Sequence, residues 1–282
     1  MLISGRIFCQ QCKWNLDGRY PRRVWASRDD PSEGDTVFLR YELLDSFLSV
    51  RPYARVILVI HNTDKTFTED DYKRLQPFVI KIYSVNCEAP SAIPIPLGFR
   101  DHQYTSHEIL KRVRTEPSVE RTIPVLLNFL LATNRPEREA AYNALKDKPF
   151  CVSDPEYLNM DYNKALEHSN AEVIQKRINF YKTLKKARFA VCPFGNGKDT
   201  HRVYECIFFG VIPIVKTSFL DRLYRQLPVW IVKDWSEITA ENVSKYIPIR
   251  FEDYPLLKGQ LEHSSLPPTL QISKSYLISS LV

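Results

Sequence analysis

Between Cys192 and Val215 the chain reads CPFGNGKDTHRVYECIFFGVIPIV, and three of its eight glycines fall there. Gly195 and Gly197 allow the backbone to turn tightly and approach a ligand closely, so that amide N–H groups point at it. The helix expected next adds the positive end of its dipole, and together these features make a site for phosphate. His201, Arg202 and Glu205 lie three and four residues apart on that helix, so all three project toward one mouth. Arg202 offers forked donors to phosphate, His201 adds charge or a hydrogen bond, and Glu205 accepts from ribose hydroxyls. Arg202 and Glu205 also have the spacing of an ordinary intrahelical ion pair, but such a pair needs neither the glycines nor His201. A P-loop is excluded: Asp199 stands where the magnesium-binding Ser or Thr belongs, and Cys192 stands where the first glycine belongs.

Alternating strands and helices must position these groups. The loop lies between a strand over 189–192 and a helix over 201–209, followed by a strand over 212–215, a helix over 219–226 and a strand over 229–232. Upstream, IPVLLNFLLA (123–132) reads as a buried strand, with Asn134 as the N-cap of a helix built on EREAAYNALKD. A short strand over 150–152 and an amphipathic helix over 171–186 complete that block. The first half repeats the pattern. DTVFLRYELLDSFLSV (35–50) is a strand entering a helix, RVILVI (55–60) is a strand buried on both faces, and a helix over 69–75 precedes a strand over 78–85. AIPIPLGF (92–99) is proline-punctuated extended chain, and 100–120 is a connector containing a helix. The expected fold is α/β, with two Rossmann-like domains of parallel sheet facing a central cleft. The expected domains are two Rossmann-like units, 1–118 and 119–255, the second carrying the phosphate-binding loop, with a tail over 256–282 packing back on the first domain.

At 282 residues the chain has room for two domains. Its net charge of +6 is spread along the sequence, which suits an anionic ligand, whereas nucleic acid calls for a concentrated basic face or a reading motif. No apolar run spans a bilayer and the amino terminus lacks a signal-peptide core, so a soluble, cytoplasmic chain is expected. The six cysteines do not form a disulfide framework. Cys9 and Cys12 make one CxxC pair with no second pair at zinc spacing, so no metal site is expected.

The 192–215 string resembles the donor-site motif of exostosin-like, GT-B-fold glycosyltransferases. In that family a strand, a glycine loop with Asp, His-Arg, a Glu one turn later and a Gly-x-Ile-Pro-Ile strand occur in this order. The similarity extends to VKTSFLDRLYRQLPVWIVKDW after it and NFLLATNRPER before it, and more faintly to VFLRYELLDSFL and LVIHNTD in the first half. The resemblance implies Glu205 on the ribose and Arg202 and His201 near the pyrophosphate. It also implies that Asn196 and Asp199 shape the loop, that Arg138 or Arg135 reaches the phosphates, and that Ser218 assists.

Members of the family are generally inverting, so the resemblance implies a base that deprotonates an acceptor hydroxyl. Asp64, His61 and Glu42, near first-domain strand ends, are the candidates, with Asp64 first. Asp64 has a plainer reading as a turn-capping residue, and His61 as a structural histidine. The sequence holds no Asp-x-Asp triplet, so metal-independent transfer is expected, with cationic side chains and a helix dipole stabilising the leaving diphosphate and no cofactor required. The partners implied are a UDP-sugar and a glycan acceptor. The resemblance favours a uridine nucleotide carrying xylose, glucuronic acid, N-acetylglucosamine or galactose; the compact chain resembles the xylosyltransferases of large algal DNA viruses, which puts UDP-xylose first. The alternatives are a non-catalytic glycan- or nucleotide-binding module on the same scaffold, and a sugar-nucleotide epimerase.

Overall fold

Apolar runs bounded by turns become buried parallel strands. The computed structural model describes residues 3–19, 30–50, 52–101, 104–159 and 171–246, and these form two all-parallel, five-stranded sheets. The first holds β1 (Trp14–Asn15), β2 (Thr36–Leu39), β3 (Val56–Ile60), β4 (Val79–Ser84) and β5 (Ile93–Pro94), paired in chain order. The second holds β6 (Ile123–Leu127), β7 (Cys151–Ser153), β8 (Ala187–Val191), β9 (Ile212–Lys216) and β10 (Trp230–Val232), in the order β7-β6-β8-β9-β10. The chain is therefore an α/β fold of two Rossmann-like domains. The helices of the first are α1 (Gly5–Gln11), α2 (Leu44–Val50), α3 (Glu69–Leu75) and α4 (Tyr104–Thr115). Those of the second are α5 (Arg135–Leu145), α6 (Pro155–Leu158), α7 (Ala171–Lys185), α8 (His201–Phe208), α9 (Asp221–Tyr224) and α10 (Ala240–Lys245).

Local chemistry sets the helix starts. At α3 the Thr68 hydroxyl accepts from the Asp71 amide while the Asp71 carboxylate accepts from the Thr68 amide, and three acidic residues in the first turn oppose Lys73 and Arg74 in the last. Both features suit the helix dipole. Asn134 occupies the N-cap position of α5 as expected, but with φ of 56° and no capping bond. Its side-chain amide instead donates to the Gly195 carbonyl at 2.9 Å, so the residue ties two loops together.

Alternation along the strands divides the first sheet between two cores. Val37, Leu39, Leu58 and Ile60 pack under Leu44 and Phe47 of α2 and Leu75 of α3. On the other face Phe38, Val59 and Tyr83 pack under Ile3, Phe8 and Cys9 and under Ile109, Leu110 and Val113 of α4. That second core continues through Ile178, Tyr181 and Leu184 of α7 and Val203 and Ile207 of α8 to Leu126 and Ala190 of the second sheet. Each fully buried aliphatic side chain contributes roughly 1.5–3 kcal/mol. An exposed pair such as Lys73–Asp70, at 67% and 90% side-chain exposure, contributes about 1 kcal/mol at most. Burial therefore holds the sheets.

Local expectations change: the strand expected over 123–132 ends at Leu127 as the chain turns toward Asn134, the helix expected over 219–226 shortens to α9, and α1, β1, α6 and α10 arise where no element was expected. The tail over 256–282, like 247–255, lies outside the described residues. Among the described residues no helix is long and apolar enough to cross a membrane.

Candidate functional site

Loops after β3, β5, β6 and β8 converge on a cavity of about 420 Å³ between the sheets. All four leave the carboxyl ends of parallel strands. In the second sheet β7 and β8 flank β6 on opposite sides, so connections diverge and open a crevice at that point, where α/β proteins bind ligands. Phe129, Leu130 and Thr133 line the cavity from the loop after β6, and Cys192, Gly195, Asn196, Gly197, Asp199 and Thr200 from the loop after β8. The opposite wall is Asn62, Thr63 and Asp64 after β3, Leu97, Phe99, Arg100 and Asp101 after β5, and His107 and Leu110 of α4. The size suits a small organic ligand.

Arg202 and Glu205 form the floor of the second-domain wall. The Arg202 Nε donates to Glu205 at 2.9 Å, one terminal nitrogen donates to the Asn128 carbonyl, and the other donates to the Tyr157 hydroxyl at 3.1 Å. Its guanidinium carbon lies 3.9 Å from the Phe180 ring centroid, a cation–π contact. Burial opposes the Arg202 charge, but Tyr157 and Glu205 outweigh it and raise its pKa. Burial likewise opposes the Glu205 charge, and Arg202 and Arg100 hold its pKa below the usual value. The second Glu205 oxygen accepts from the Tyr181 hydroxyl at 2.9 Å.

Asp199 clamps the glycine loop. Its carboxylate accepts from the Tyr204 hydroxyl at 2.6 Å, the Tyr224 hydroxyl at 2.9 Å and the Leu97 amide of the first domain at 2.9 Å. Its own amide donates to Asn86 at 2.8 Å. Burial pushes its pKa up to about 6 against those hydrogen bonds. At Gly197 an added Cβ would lie 2.9 Å from Asn86 Nδ2 and 3.2 Å from Asp64 Cα, so the glycine permits the loop to touch the first domain. Thr200 sits at the N-cap of α8 without making a capping bond, and its hydroxyl is buried with no hydrogen bond among the described residues. The first turn of α8 therefore opens on the cavity without a side-chain cap.

His201 is neutral. Its Nδ1 lies 2.6 Å from the Gly98 carbonyl, which assigns the proton to Nδ1 and leaves Nε2 as an acceptor. Burial and the Arg100 charge bring its pKa down to about 4. Arg138 donates to the carbonyls of Phe194 at 3.0 Å and Leu130 at 2.7 Å and meets no carboxylate among the described residues. Burial and the Arg202 charge lower its pKa to about 10.

No protein-family model matches the chain, and no curated protein matches it. The site must be judged on its geometry.

Of the residues singled out in the sequence, Asp64, Arg138, Asn196, Asp199, His201, Arg202 and Glu205 line one cavity. His61, Glu42, Arg135 and Ser218 do not line it. His61 is 1% exposed: its Nδ1 accepts from the Asn62 amide at 2.8 Å, its Nε2 lies 3.2 Å from the Pro96 carbonyl, and the Phe8 ring is 5.0 Å away. Glu42 is exposed and accepts from Thr63 at 2.9 Å, one residue removed from the cavity wall. Arg135 pairs with Glu139 on an exposed helix face at 2.8 Å. The Ser218 hydroxyl accepts from the Leu220 amide at 3.1 Å, organising its own turn. Sequence reasoning passed over Arg100, Asp101, His107 and Thr200. Of these only Thr200, directly before His201 at a helix start, carried a signal in the sequence.

The CxxC pair is not an activated thiol site. Cys12 follows the carboxyl end of α1, where the dipole disfavours a thiolate, and burial together with Cys9 raises its pKa. Neither cysteine forms a disulfide.

Proposed function

We propose that this chain is a GT-B-type glycosyltransferase that moves a sugar from a UDP-sugar to a hydroxyl of a glycan acceptor with inversion. One observation carries the reading: the start of α8, where Thr200 makes no side-chain cap bond, and the guanidinium of Arg138 face the same switch-point cavity, and both favour an anion. A nucleoside diphosphate fits that demand, and the resemblance of the 192–215 string to the exostosin-like donor motif gives independent support.

In this reading the diphosphate lies against the glycine loop and the start of α8, with Arg138 and Arg202 as donors. Glu205 keeps free lone pairs beyond its bonds from Arg202 and Tyr181 and accepts from the ribose hydroxyls. Charge develops on the leaving diphosphate as the anomeric bond breaks, and fixed cations and the helix dipole stabilise it. Asp64 is the base candidate that lines the cavity with an exposed side chain. It takes the proton from the acceptor hydroxyl as that oxygen bonds to the anomeric carbon. UDP-xylose is the preferred donor on the resemblance alone, and transfer proceeds without a metal.

A second reading is a nucleotide-binding module without catalysis, favoured by the mutual satisfaction of Arg202 and Glu205 in the cavity floor. Titration calorimetry with UDP, GDP and a panel of UDP-sugars, followed by donor turnover with and without EDTA, tests both. Selective UDP-sugar binding with turnover supports the enzyme. Binding with no turnover of any donor supports the module, and absence of nucleotide binding sinks both.

A further inference from the structure

The loop from Leu97 to Asp101 is tied at successive residues. The Leu97 amide donates to Asp199, the Gly98 carbonyl accepts from His201, the Phe99 amide donates to the Ile3 carbonyl and the Asp101 carboxylate accepts from the Arg6 amide. The Arg100 backbone carbonyl engages the His107 ring. At Gly98, with φ of 69°, an added Cβ would lie 2.4 Å from the Ile3 carbonyl oxygen, so the backbone is seated without slack. One group in this loop is left over. Among the described residues the Arg100 guanidinium makes no hydrogen bond or ion pair, yet Arg100 lines the cavity.

We propose that Arg100 reaches across the cleft to the diphosphate of the donor and, with Arg138, clamps it between the two domains. This rests on the nucleotide-sugar reading above. Arg202 already has a carboxylate partner in Glu205, whereas Arg138 donates only to carbonyls and Arg100 to nothing among the described residues. Two guanidiniums without carboxylates, one from each domain, call for a ligand carrying two negative charges. Arg100 lies within electrostatic reach of the opposite wall, because its charge lowers the pKa values of His201, Glu205 and Arg138. Without a ligand Arg100 and Arg138 repel each other. A bound diphosphate turns that repulsion into a bridge between the two walls.

The exposed position of Arg100 makes the test clean, since substitution leaves the folded core untouched. Binding of UDP, UMP and inorganic pyrophosphate is measured by titration calorimetry for the wild-type protein, Arg100→Gln and Arg100→Lys, with melting temperatures as a folding check. The glutamine variant is expected to bind UDP and pyrophosphate about 10- to 100-fold more weakly, to bind UMP within about 3-fold of wild type, and to melt normally. The lysine variant recovers part of the loss. Wild-type UDP binding that is unchanged in Arg100→Gln, or weakened equally for UMP and UDP, overturns the clamp alone. Failure of the wild-type protein to bind UDP or pyrophosphate overturns the nucleotide-sugar reading and the clamp with it.

Discussion

The two walls of the cavity are built on opposite plans. On the second-domain wall Arg202 and Glu205 are 17% and 13% exposed, each holding several fixed partners, and Asp199 is buried under three donors. On the first-domain wall Asp64 and Arg100 are exposed on a rigid backbone. A pre-wired wall loses little conformational freedom when its ligand arrives and so favours tight, specific binding. Exposed side chains such as Asp64 and Arg100 stay able to meet a group that arrives later. Under the proposed function the contrast predicts an order: the anion binds first, and Asp64 and Arg100 then act on it.

The strongest challenge to this contrast is Arg202→Ala. It strands Glu205 in a buried position and is expected to cost about 3–5 kcal/mol in chemical denaturation. A loss under about 1 kcal/mol would show that the second wall is not pre-wired. The next challenge uses pH. Asp199 titrates near 6 in the folded state against an ordinary 3.8, so its contribution to stability is present at low pH and fades as pH rises from about 4 to 6. His201 titrates near 4 against an ordinary 6.5, so its contribution is present above about 6.5 and fades as pH falls toward 4. The two slopes oppose each other in the wild-type protein. Relative to wild type, Asp199→Asn should lose stability more steeply on acidification, and His201→Gln should gain it, each by roughly 2–3 kcal/mol between pH 6 and 4. Parallel curves for all three proteins would contradict the assigned titrations.

Gly197→Ala probes the seam between the walls. The new methyl group meets Asn86 and Asp64, and a loss of about 1–3 kcal/mol in melting experiments is expected, together with weaker UDP binding. Stability equal to wild type would mean that the loops part easily. The mildest test is Arg135→Ala, which removes a pair whose arginine side chain is 64% exposed. It should shift stability by about 0.5 kcal/mol or less and UDP affinity by less than about 2-fold. A larger loss of affinity would extend the second wall onto the outer face of α5.

The same contrast governs what the sequence disclosed. The second wall was legible because local rules wrote it: a glycine loop between strand and helix, with polar groups at helical spacing, places His201, Arg202 and Glu205 in one mouth. Most strand and helix positions followed from apolar runs, and α3 matched its expected span of 69–75. The first wall was not legible in that way. Arg100, Asp101 and His107 become neighbours of the glycine loop only through tertiary contacts such as Asp199 to Leu97, which span 102 residues and leave no periodic trace. His61 carried two readings for a related reason. A histidine at a strand end marks a ligand loop as readily as it fills a pocket between Phe8 and Phe38, and only packing distinguishes the two. The amino-terminal helix escaped notice because GRIFCQQ carries too few apolar residues to declare a period, and its burial comes from the sheet it covers.

The apolar layer that runs from Phe38 and Tyr83 through α4 and α7 to Leu126 and Ala190 has a further consequence. A chain severed near residue 118 would leave each half with a bare apolar flank and no partner to cover it. The protein should therefore melt in a single calorimetric transition rather than two, and its halves should regain solubility only when expressed together. The division that makes a cleft at the ligand end is absent at the hydrophobic end, so any opening and closing of the cleft pivots about a seam that remains shut.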